Sequence, residues 1–112
     1  MSENAAIARL FRGPDITGAR RLAESYEFRL EGIPETIRLW VYAGVDGNWF
    51  EMEQSHFLQA PGMDGPAVAE TQRYASPEAA IRETLEAFLE GYRAAIDAGH
   101  TPGDHWLLPA RN

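Results

Sequence analysis

Residues 37–43 read Ile-Arg-Leu-Trp-Val-Tyr-Ala and residues 50–54 read Phe-Glu-Met-Glu-Gln, with Asp46-Gly47 between the two runs. Strict alternation belongs to a strand with one dry face, because successive side chains point to opposite sides. Asp-Gly tolerates the positive φ of a type I′ turn, so a hairpin is predicted there. That turn sets the pairing. Val45 faces Asn48, Ala43 faces Phe50, Val41 faces Met52 and Leu39 faces Gln54. A slip by one residue would turn every apolar side chain outward, which leaves this segment few alternatives.

A second hairpin precedes it. Residues 25–31 alternate Tyr26, Phe28 and Leu30 with Glu27, Arg29 and Glu31, and Gly32-Ile33-Pro34-Glu35 is a turn because Pro34 cannot donate to a ladder. Turning there puts Leu30 opposite Ile37 and Phe28 opposite Leu39. Both hairpins then send Tyr26, Phe28, Leu30, Ile37, Leu39, Val41, Phe50 and Met52 to one side. A helix covers that side. Ser76-Pro77-Glu78 opens it with a hydroxyl cap, a proline at the first helical position and a carboxylate facing the dipole. Ile81, Leu85, Phe88, Tyr92 and Ile96 form its apolar stripe, widened by Leu89 and Ala95, and Gly99 and Pro102 end it.

The remaining elements are weaker. Residues 3–12 repeat Ala6, Ile7, Leu10 and Phe11 at helical spacing before Gly13-Pro14. Residues 15–24 suggest a further helical turn with Ile16, Ala19 and Leu22 inward. Residues 49–58 form the third strand, 59–66 a loop, 68–74 a short fourth strand, and 100–112 a coil tail whose Trp106, Leu107 and Leu108 pack back on the body. The predicted fold is α+β: an antiparallel three- to four-stranded sheet, a long C-terminal helix on one face, and a short N-terminal helix, in the order α-β-β-β-β-α. Residues 1–112 make a single domain, with a helical N-terminal segment over 1–24 and the coil tail over 100–112.

Composition narrows function by subtraction. The chain has 112 residues, 45% of them hydrophobic, which is enough for one globular domain. All ten basic residues are arginine, seventeen residues are acidic, and the net charge is -7. Such a surface repels phosphate backbones, and the one tight basic pair, Arg20-Arg21, is followed by Glu24, Glu27 and Glu31. Direct nucleic-acid binding is therefore not expected. The absence of cysteine excludes disulfides and thiolate metal sites. No apolar run suits a membrane span and the first residues carry no leader pattern, so a cytoplasmic protein without membrane association is expected. No phosphate loop, HExxH or nucleophile elbow is present, so no catalytic residue, metal ligand or cofactor is assigned.

The sheet side away from the long helix is the candidate site. It should carry Arg29, Arg38, Trp40, Tyr42, Trp49, Glu51 and Glu53. In the expected register Trp40 lies between Glu27 and Glu53, Tyr42 faces Glu51, and Arg29 meets Arg38 with Glu53 on the diagonal. Three large aromatics beside arginine have the composition of an interface hot spot. The N-terminal helix or the tail could cover them, as could a second copy, a protein partner or a small ligand. His56 reads as a structural residue, and His100, Asp104 and His105 sit in a tail too loose for a preorganised metal site.

Asp46-Gly47-Asn48-Trp49, Ala60-Pro61-Gly62 and Ser76-Pro77-Glu78-Ala79-Ala80 give residues 37–95 a partial resemblance to the HicB-like antitoxin core. The resemblance implies a β-β-β-α module that forms oligomers and neutralises a small basic toxin, which an acidic domain would suit. Tyr74-Ala75 stand where that family has a glycine, and no functional residue is carried over. The family often continues into a DNA-binding segment, for which residues 100–112 are too short. The expectation is thus a small non-enzymatic domain that binds protein, as a homodimer or with another partner, through the aromatic face or a sheet edge. Two alternatives stand beside it: a small-ligand or metal-binding protein using Glu51, Glu53 and Arg38, and an acidic inhibitor from a mobile element.

Overall fold

Ser76 sets where the long helix begins: its Oγ accepts the Ala79 N–H at 3.1 Å, and Pro77 follows at a first-turn position where the N–H that proline lacks would have had no partner within the helix. In this computed structural model, which describes residues 3–45, 48–66 and 73–110 with side chains from Ala6 onward, that helix is α2, Pro77–Asp97. Before it come α1 (Glu3–Leu10), β1 (Arg20–Phe28), β2 (Ile37–Gly44), β3 (Phe50–Gln54) and β4 (His56–Leu58). After it come a 3₁₀ turn, Asp104–Trp106, and β5, Leu107–Pro109. The fold is α+β. Strands β1-β2-β3 form one antiparallel sheet and β4-β5 a second, two-stranded one.

The central pairing follows the alternation: Leu39 faces Gln54, Val41 faces Met52 and Ala43 faces Phe50. The turn at Asp46-Gly47 lies outside the described residues, but Gly44 donates to the Trp49 carbonyl at 3.0 Å beside it. Most of the expected fourth strand also lies outside them. Tyr74, its last residue, bridges Phe50 through two backbone hydrogen bonds.

The first hairpin departs from expectation by two residues. Phe28 faces Ile37 and Tyr26 faces Leu39. Leu30 and Ile33 leave the ladder and fold inward through a tight turn, closed by the Ile33 N–H on the Leu30 carbonyl at 2.9 Å. A shift of two keeps the parity, because the side-chain period of a strand is two. One consequence is a correction. Glu27, not Arg29, sits opposite Arg38, and Arg29 lies exposed beyond the strand end.

Residues 20–24 are strand rather than helix. Gly18 takes a positive φ of 68°, which stops any helix begun at residue 15. Beyond it Arg20, Arg21 and Leu22 pair with Gly44, Ala43 and Tyr42, so the backbone groups at the end of β2 find partners. A bulge lies between Leu22 and Glu24. The extra residue reverses parity, so Arg20 and Leu22 join the side of Tyr42 while Glu24 joins the side of Val41.

The expected third strand breaks at Ser55. Its N–H donates to the Arg38 carbonyl at 2.9 Å, and its Oγ accepts the Arg38 N–H at 2.8 Å, standing in for a backbone carbonyl. Beyond it β4 turns to β5, so the tail is not coil. Gln59 donates to the Trp106 carbonyl at 2.7 Å, Trp106 is fully buried and Leu107 nearly so, while Leu108 faces solvent. The core joins Ile37 and Leu39 of β2 to Leu58, Phe88 and Trp106. The dry stripe of α2 keeps Phe88 and Ala95 of the expected one, with Leu85, Leu89 and Tyr92 packed beside the core, and differs at its ends. Ala80 and Thr84 are buried at its start, and Ile96 is 38% exposed. Small residues let the helix axis approach the sheet, and Thr84 satisfies its hydroxyl on the Ala80 carbonyl at 2.9 Å.

Candidate functional site: an arginine-capped aromatic face

The parity of β2 makes two unlike surfaces. Leu39 and Val41 are buried toward α2, whereas Arg38, Trp40 and Tyr42 look the other way and stay partly or wholly exposed. Glu51 and Glu53 of β3 lie beside them, opposite Tyr42 and Trp40.

Arg20, delivered by the bulge, organises this face. Its guanidinium carbon stands 3.8 Å from the centre of the Tyr42 ring. Its two terminal nitrogens reach Glu51 at 3.3 Å and Glu53 at 2.5 Å. The hydrogen bond to Glu53, with the charge of both carboxylates, raises the Arg20 pKa against a smaller effect of burial. Three interactions therefore hold one cation: a ring face and two carboxylates.

A second stack lies alongside. Gly44 has no side chain, and the Trp49 indole occupies that space so closely that an added Cβ would stand 2.4 Å from its ring. Arg73 covers the indole at 4.0 Å from the ring centre and reaches Glu51 at 3.6 Å. Glu51 thus links both stacks, in the order Tyr42, Arg20, Glu51, Arg73, Trp49. Glu27 and Arg38 form a separate, exposed pair at 3.5 Å that adds little, since water screens it.

The structure brings together Trp40, Tyr42, Trp49, Glu51 and Glu53, with Arg38 at the margin, and leaves Arg29 apart. Sequence reasoning missed Arg20 and Arg73. A legible signal existed for them: Glu51 and Glu53 crowd one face in the expected register, and such a pair calls for a cation. Arg20 was hidden because no pattern in Arg20-Arg21-Leu22-Ala23 announces a bulge. Arg73 was hidden because it reaches the face from outside the sheet.

Neither α2 nor the β4–β5 ribbon covers these rings, because both pack on the opposite side. The arrangement suits binding rather than proton transfer. Glu51 and Glu53 are both engaged by Arg20, and Glu51 by Arg73 as well, so neither stands free to serve a substrate. Ser55 and His56 also meet, with Oγ and Nδ1 at 2.8 Å and His56 Nε2 at 3.9 Å from Glu35. Ser55 Oγ already accepts the Arg38 N–H, so this hydroxyl pins the strand break. In the tail, Asp104 accepts the Glu35 N–H at 3.2 Å and His105 packs edge-on to Trp106. Among the described residues no three His, Asp or Glu side chains group as a metal would need.

Two concave surfaces lie elsewhere. One follows the β1–β2 turn, around Phe28, Gly32 and Pro34. The other runs between β1 and the first turns of α2, with Tyr26, Pro77 and Ile81 inside and Glu24 and Glu78 at the rim. Tyr26 donates to Glu24, which pushes its phenol pKa above the ordinary 10.0. No helix among the described residues is long and apolar enough to cross a membrane. No protein-family model matches the chain, and no curated protein or solved structure matches it.

Proposed function

We propose that the chain is a small protein-binding domain without chemistry of its own, and that it docks a basic protein on the Trp40–Tyr42–Trp49 face. One observation carries this reading: two aromatic rings stand capped by arginines that carboxylates hold in place. Tryptophan, tyrosine and arginine supply most hot-spot energy at protein interfaces. Here the side chains are ordered beforehand, which lowers the entropy lost on binding. The central ion pairs cancel much of their own charge, while the net charge of -7 steers a basic partner toward the domain. A small basic toxin, the partner that the HicB-like resemblance implies, has this chemistry. The ion pairs also count against a metal or small-ligand role, because they engage Glu51 and Glu53.

The test is coexpression with the product of each adjoining reading frame, then titration of any protein that copurifies. Trp40→Ala should weaken such a complex about 30-fold, the loss of roughly 2 kcal/mol typical of a hot spot, and added salt should slow association. A complex that Trp40→Ala leaves unchanged would contradict the proposal, as would the failure of every neighbouring product to bind.

A further inference from the structure

A second surface is unfilled, and the chain carries a segment fitted to it. α1 presents Ile7, Leu10 and Phe11 at i, i+3 and i+4, which makes one apolar stripe. They are 49%, 74% and 42% exposed, Ile16 follows at 43%, and α1 packs extensively on no other element. The molecule measures 55 × 26 × 21 Å, with a radius of gyration of 16.9 Å. A compact chain of this length would have about 13 Å. The longest body element, α2, spans only about 32 Å at 1.5 Å per residue. The extra length fits an N-terminal arm that leaves the body.

The groove between β1 and α2 has the complementary surface. Tyr26, Pro77 and Ile81 offer apolar area, and among the described residues none of the arm lines it. Its rim carries Glu24 and Glu78, the latter also paired with Arg82. The arm brings Arg9 and Arg12 at the end of its helix. The asymmetry extends to the whole chain: fifteen of the seventeen acidic residues follow residue 21, but only six of the ten arginines do. Each arm is apolar with a basic end, and each body is acidic.

We infer that the arm of one copy lies in the β1–α2 groove of a second copy, giving a two-fold dimer with reciprocal arms. Reciprocity doubles the contact. A specific interface buries about 800 Å² per partner, and an arm given together with a groove filled is of that order for a segment of about sixteen residues. The polar aromatic face takes no part, so this inference stands apart from the function proposed above.

The chain has no cysteine, so single thiols can be placed without background. Leu10→Cys and Tyr26→Cys, each at an exposed site, are purified separately with distinguishable tags, mixed, and treated with a short bismaleimide. The expected product is a covalent dimer joining residue 10 of one chain to residue 26 of the other. Leu10→Asp should sediment as a monomer across a dilution series in which the wild type dimerises, with its melting transition still cooperative. Three results would overturn the inference: a wild-type monomer, a dimer that survives Leu10→Asp, or a chain carrying both Leu10→Cys and Tyr26→Cys that, treated in the same way, cross-links only within itself. The last would place the arm in its own groove. Trp40→Ala should leave the dimer intact, so loss of the protein partner and loss of the dimer are read separately.

Discussion

At the scale of single residues, the face depends most on Gly44, whose role is space rather than a special backbone angle. Its absent Cβ is what allows Trp49 to lie on the sheet and Arg73 to lie on Trp49. Gly44→Ala should push the indole away and uncouple Arg73 from Glu51. The expected loss is about 1–3 kcal/mol in urea unfolding, the usual range for overpacking, together with a changed Trp49 environment in fluorescence. An alanine variant as stable as the wild type would mean that the ring is not seated there. Residues of this kind are poorly legible in sequence. The alternation of Leu39, Trp40 and Val41 told which side each would face, but nothing in Gly44-Val45 told that an indole would settle over the glycine.

Among the elements, those written in local chemistry were read well and those set by tertiary pairing were not. The α2 start follows from Ser76-Pro77-Glu78 alone. Ser76→Ala should remove the accepted Ala79 N–H and cost about 1 kcal/mol of stability, measured as a lower urea midpoint with an unchanged slope. The β2–β3 register also followed from local pattern. By contrast, residues 20–24 became strand because the end of β2 needed partners, overriding a weak helical spacing. The tail became β5 because β4 turned away from β2 at Ser55 and left its own edge to be paired. Neither Leu107-Leu108 nor His56-Phe57-Leu58 announces the other, since pairing over about fifty residues leaves no trace in either run. The shift at the start of the α2 stripe has a similar cause. Ala80 is buried because the sheet comes close, whereas hydrophobicity alone points to Ile81.

Over the whole molecule, the sheet separates two environments that the three tryptophans report. Trp106 is fully buried on the α2 side, edge-on to Tyr92 at 6.0 Å, whereas Trp40 lies on the polar side and is partly exposed. The face is available to a partner only if Trp40 remains wet in the free protein, whether or not the arms exchange. The most direct measurement is oxidative footprinting of the folded protein, read tryptophan by tryptophan in a mass spectrometer. The account expects rapid modification of Trp40 and near-complete protection of Trp106 at the same radical dose. Equal protection of Trp40 and Trp106 would mean that another part of the chain covers the polar face, and the proposed docking surface would not exist.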